Sequence, residues 1–144
     1  MIEPSRYIRK AFYDSLKNNV IFKGKAVPVY DVFSDEYEGA NQIILSNPST
    51  SDVSDKCNFV WDCSLVIDVV TRTTGAGNRS TADFISEQVT NVLQPQRRFI
   101  NLLIDGQFTI SNLELSSMRY LTERTQSNFL VRKLLTYDFR IFQN

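Results

Sequence analysis

A chain of 144 residues, 42% hydrophobic and 22% charged, is long enough for one domain with its own core. At this length folding hides about 70% of the surface of the unfolded chain, so neither a disulfide nor a metal is needed to hold it. Sixteen basic and sixteen acidic residues cancel, which argues against a protein that clamps DNA by neutralising phosphates, and the lack of histidine removes the commonest general base and zinc ligand.

The start, Met1-Ile2-Glu3-Pro4-Ser5, shows no signal-peptide pattern, and no apolar run is long enough to cross a bilayer, so a soluble protein without a membrane partner is expected. Ile8, Phe12 and Leu16 recur four apart among charged residues and predict an amphipathic helix from about Ser5 to Asn18. Pro4-Ser5 suits its start, and Asn18-Asn19 suits a left-handed end. Lys25 to Phe33 alternates and predicts a strand near an edge, because Pro28 cannot donate to a ladder. A loop with three acids follows, Ser34 to Gly39, and Gln42 to Ser46 predicts a second strand, the hairpin partner of the first. Asn47 to Asn58 is polar and without period, which reads as a mobile surface loop.

The next stretch organises the chain. Phe59, Trp61, Cys63, Leu65, Ile67 and Val69 recur with period two, predicting a long half-buried strand from Phe59 to Thr71. Its even face, Val60, Asp62, Ser64, Val66, Asp68 and Val70, is mixed, too apolar for an ordinary solvent face. Cys57 and Cys63 would lie about 20 Å apart on one strand, so both read as free thiols made in a reducing compartment, with Cys63 in the core. After a break at Arg72 to Arg79, a helix is predicted from Ser80 or Thr81 with Ile85, Val89, Val92 and Leu93 inward, ended by Gln94-Pro95. Phe99 to Ile104 fits helix and strand equally. Phe108 to Leu115 predicts a strand whose parity changes around Ser111-Asn112, a bulge or break. Thr122 to Asn128 reads as a turn, and Leu130 to Phe142 as a last strand mirroring the central one. The order α-β-β-β-α-β-β gives an α+β fold, a mostly antiparallel sheet with two helices on one face, over one domain, residues 1–144.

This pattern resembles the tail-terminator, or tail-completion, family of tailed bacteriophages. The resemblance is carried by the N-terminal helix, the short strand Ala26-Val27-Pro28-Val29-Tyr30, the long strand followed by a glycine-containing turn and helix, and the segments Leu103 to Gln107, Leu113-Glu114-Leu115 and Leu134 to Ile141. It implies a virion structural protein, not an enzyme, assembled in the host cytoplasm into a homo-oligomeric ring at the neck. Such a ring ends tail-tube growth and joins head to tail. Its implied partners are neighbouring neck, tail-tube and portal or connector proteins, with genome DNA passing through without specific binding. The long Asn47 to Asn58 loop and the aromatic richness depart from the family pattern and leave open a head-tail adaptor or stopper ring of a short-tailed phage.

Three motifs bear on function. Gly75-Ala76-Gly77-Asn78-Arg79-Ser80 follows a strand and opens a helix, like a nucleotide-binding loop, but Ser80 stands where the third glycine belongs, so a small nucleotide-binding enzyme is the alternative of another class. Asp62 and Asp68 lie about 20 Å apart along one strand, too far to share a metal, and no Asp/Glu-X-Lys triplet supports a nuclease. No catalytic, cofactor or metal residues are therefore expected. In a ring, Thr73, Thr74, Gly75, Ala76, Gly77, Asn78 and Arg79, with Val60, Val66 and Val70, are expected at subunit contacts. Asp35, Glu36 and Glu38 are expected to face the channel, where negative charge lets duplex slide.

Overall fold

The computed structural model describes residues 1–31, 40–73, 79–96, 104–124 and 128–144. Helix α1 spans Ser5–Leu16 and buries Ile8, Ala11, Phe12 and Leu16. Its first amides are met by Glu3, whose carboxylate accepts from the Ser5 amide and hydroxyl at 3.1 and 2.6 Å. Asn18 ends it in the left-handed region at φ 63°, a conformation asparagine tolerates.

The segment read as one strand from Lys25 is two pieces. Strands β1 (Ile21–Phe22) and β2 (Lys25–Ala26) form a small hairpin, turned by Lys23 and Gly24 at φ 50° and 78°, both positive as a two-residue hairpin turn requires. Gln88 clamps this hairpin, accepting from the Ile21 amide and donating to its carbonyl. The Val27 amide still donates to Val20, but Pro28 has no N–H and the ladder stops. The chain restarts as β3 (Val29–Tyr30), which pairs parallel with β4 (Asn41–Leu45). The expected hairpin is thus replaced by a parallel pair.

Strand β5 (Ser49–Asp52) is the second departure, for it lies within the stretch expected to be loop. It pairs with the same side of β6 (Val60–Thr73) as β4 does, farther along. Between them the Ser46 amide donates to the Val66 carbonyl, and the Ser46 hydroxyl accepts from the Val66 amide, both at 3.0 Å. Pro48 has no N–H to continue the ladder. An edge strand needs no apolar alternation when neither face is buried, so Ser-Thr-Ser-Asp carried no strand signal.

Helix α2 spans Ser80–Leu93, β7 spans Phe108–Arg124 and β8 spans Phe129–Gln143. The large sheet has the order β3-β4-β6-β8-β7, with β5 also on β6. Strands β6 and β8 pair without interruption from Val60 opposite Phe142 to Thr73 opposite Phe129. The parity change in β7 is a register shift between Ser111 and Glu114, with Asn112 at φ 56°. Thr122 to Arg124, expected in a turn, instead continue β7, and residues 125–127 lie outside the described residues. Of the ambiguous run Phe99 to Ile104, all but Ile104 lies outside the described residues.

Both helices pack on one face. Trp61, Cys63, Leu65, Ile67 and Val69 of β6 and Leu135, Tyr137, Phe139 and Ile141 of β8 form one core with Ile8, Phe12 and Leu16 of α1 and Ile85, Val89 and Leu93 of α2. Each large apolar side chain buried there contributes about 1.5–3 kcal/mol before entropy is counted. The architecture is α+β, as the sequence implies.

Candidate functional site

The sheet face away from the helices carries a chemistry of its own, because period two sends every second residue of β6 and β8 there. Asp62 stands opposite Arg140 and takes a two-pronged pair from it, Nε to Oδ1 at 2.6 Å and Nη2 to Oδ2 at 3.0 Å. Arg140 holds the Asp62 carboxyl below the usual carboxylate range. One ladder step off register, Arg132 grips Asp68 through Nε and Nη2 and lies 3.5 Å from Glu123 of β7. Asp68 is only 6% exposed. Its Oδ1 and the buried Gln42 Oε1 lack hydrogen-bond partners among the described residues, a cost normally of about 1–3 kcal/mol each.

Ile44, Val70 and Leu130 form a second, small apolar cluster on this side. Toward the other end of the strands lies an open groove of about 660 Å³ that includes Asp62, Ser64, Glu114, Asp138 and Arg140. Glu114 stands opposite Asp138, and like charges in that relation repel. The groove therefore holds more negative than positive charge.

A different polar group joins α2 to the sheet on the covered side. Asp83 accepts from the Tyr120 hydroxyl and from Lys133 Nζ, the latter at 2.9 Å. Those bonds lower its titration range, with the Tyr120 bond the larger cause. The Arg79 guanidinium and Lys133 ammonium lie over the Tyr120 ring at 5.3 and 5.1 Å. Deeper in the core, burial pushes the Cys63 thiol up to about 12, helped by the Asp62 charge. Burial alone does the same to the Tyr137 hydroxyl, also about 12.

A scan of protein-family profiles and a search of curated proteins return no match. Among solved structures the chain is similar to one from the "Virion of native gene transfer agent (GTA) particle", with TM-score 0.69, 19% identity and 94% of each chain covered. At that identity the likeness is one of fold, and it extends end to end.

The expected contact residues divide into three sets. Thr73 ends β6, with its hydroxyl toward the Phe129 carbonyl at 3.5 Å, and Arg79 precedes α2 over Tyr120, so both ends of the glycine-rich run are anchored. Thr74, Gly75, Ala76, Gly77 and Asn78 lie outside the described residues, as do Asp35, Glu36 and Glu38. Val60 and Val70 are buried within the chain, leaving Val66 as the half-buried member of that trio. The pairing of Asp62 and Asp68 with Arg140 and Arg132 was missed by sequence reasoning. Its signal was present: acids on the even face of one strand and arginines on the matching face of its mirror. Both cysteines are free, Cys57 exposed and Cys63 buried. Among the described residues no three His, Cys, Asp or Glu side chains cluster as metal ligands, and no helix is long and apolar enough to cross a membrane.

Proposed function

We propose that this chain is a virion structural subunit that assembles into a ring at the neck of a tailed phage-like particle, ends tail-tube growth and joins head to tail. The observation that carries the proposal is the end-to-end fold likeness to a chain of a gene transfer agent virion, which joins the tail-terminator resemblance in the sequence. The open sheet face supports it physically. A surface built from fixed arginine-carboxylate pairs and small polar side chains, with surplus acid in its groove, suits contact with a neighbour of stated geometry better than retention of DNA. The ring would leave a channel for the genome, with the loop from Thr73 to Arg79 and the Val66 region at subunit contacts and Asp35, Glu36 and Glu38 toward the lumen.

Electron microscopy of the assembled protein and protein analysis of purified particles test this reading. Closed rings, and the chain in stoichiometric amount at the neck, are expected. A strictly monomeric chain absent from purified particles overturns it. Deleting Gly75 to Asn78 is expected to impair assembly more than folding; normal particles with that deletion remove the loop from the interface.

A further inference from the structure

Strand β7 is the last in the sheet order, and its outer side meets no other strand among the described residues. Every residue from Ser116 to Arg124 is exposed. An edge strand offers unpaired N–H and C=O groups to any chain that can align with it, and proteins usually blunt such edges with proline, charged side chains, bulges or short length. Of these devices this edge has only its charges, Arg119, Glu123 and Arg124, which are of both signs. Both register shifts lie before Ser117, the ladder to β8 is regular from there to Arg124 opposite Phe129, and the stretch contains no proline, glycine or lysine. Met118, Tyr120 and Leu121 are 55%, 42% and 43% exposed on it.

The side chains of this edge complement themselves. Arg119, Leu121 and Glu123 share the open face, since they stand opposite Leu134, Arg132 and Leu130 of β8. Arg119 makes no hydrogen bond or ion pair among the described residues, and Glu123 has only Arg132, at 3.5 Å. An antiparallel pairing of two β7 edges about a two-fold axis at Leu121 sets Leu121 against its own copy. It places each Arg119 opposite the other chain's Glu123, with Tyr120 opposite Thr122. Moving the axis by one residue either way loses both charge pairs, and parallel pairing sets Arg119 beside Arg119. Opposite charges directly across a ladder favour one register, and like charges disfavour it.

We infer that the occupant of this edge is a second copy of the same chain, joined by antiparallel β7–β7 pairing into one sheet that runs through both subunits. A two-fold contact consumes the same edge on both partners, so it closes and cannot propagate into a fibre. The proposed neck ring would be built from head-to-tail contacts instead, so the two-fold pair belongs to the free chain before ring assembly, and the two readings fail separately.

Sedimentation equilibrium of the full chain, with circular dichroism as the check on folding, tests the pairing. A dimer is expected for the native chain. Arg119→Glu and Glu123→Arg are each expected to weaken it by about tenfold or more, since each creates two like-charge oppositions per dimer. The double variant Arg119→Glu/Glu123→Arg restores both pairs with signs exchanged and is expected to return to near-native affinity. A native chain that is monomeric, an assembly indifferent to Arg119→Glu, or a double variant no better than the singles each overturns the inference. Rings that form normally in the Arg119→Glu variant leave the ring reading standing without this contact.

Discussion

The two faces of the β6–β8 pair are cut from the same two strands, yet they are held by different physics. On the covered face a row of large apolar side chains meets two helices, and within that row Cys63 and Tyr137 are ionisable groups that are themselves buried. On the open face the same strands set Asp62 on Arg140 and Asp68 on Arg132. Non-directional burial tolerates many sequences of similar volume, whereas paired charges constrain register and identity. The first face gives the chain its stability, and the second gives it a patterned surface to present.

Exchanging the chemistry of the two faces has the largest expected effect. Trp61→Asp places an unpaired charge where the ring is 4% exposed and is expected to unfold the chain, as circular dichroism would show. On the open face Arg132→Met strands the nearly buried Asp68 without its partner. Because Arg132 is itself partly exposed, the expected loss is about 2–3 kcal/mol in a urea titration, below that of a fully buried pair.

A smaller effect separates the faces by pH. In the unfolded chain a thiol ionises near 8.5 and a phenol near 10, while in the folded chain Cys63 and Tyr137 are each raised to about 12. Their folded pKa values lie above the unfolded ones, so stability is full below about pH 8.5 and falls as pH rises toward 12. Cys63→Ala is expected to flatten the first part of that decline, measured by denaturation midpoints from pH 8 to 11. Asp62 runs the other way: its folded pKa is depressed by Arg140, so its contribution is present above the unfolded carboxylate range and is lost as pH falls through the folded value. The pair is exposed, and its effect is best followed as the Asp62 carboxyl titration by NMR, which Arg140→Ala is expected to move upward.

The smallest change in stability is expected at the half-buried Val66. If the proposed ring forms, Val66→Asp should leave the chain folded while reducing assembly, read by particle yield. An unfolded Val66→Asp chain would show that this position belongs to the core rather than to a contact.

Residue periodicity by itself determined the two helices, the long central strand, its mirror at the C-terminus and the side of each that turns inward, because burial of every second or every third-to-fourth residue leaves a pattern in one dimension. It also marked the bulge at Ser111-Asn112. Tertiary structure decided what no local pattern records. The parallel pairing of β3 with β4, the polar strand β5 and the extension of β7 to Arg124 depend on which neighbour a backbone finds, and an exposed edge strand needs no apolar signature to find one. The Asp62–Arg140 and Asp68–Arg132 pairs likewise join residues 78 and 64 positions apart. Their partners were readable as charges on matching faces, but only the register of the folded sheet brought each acid to its arginine.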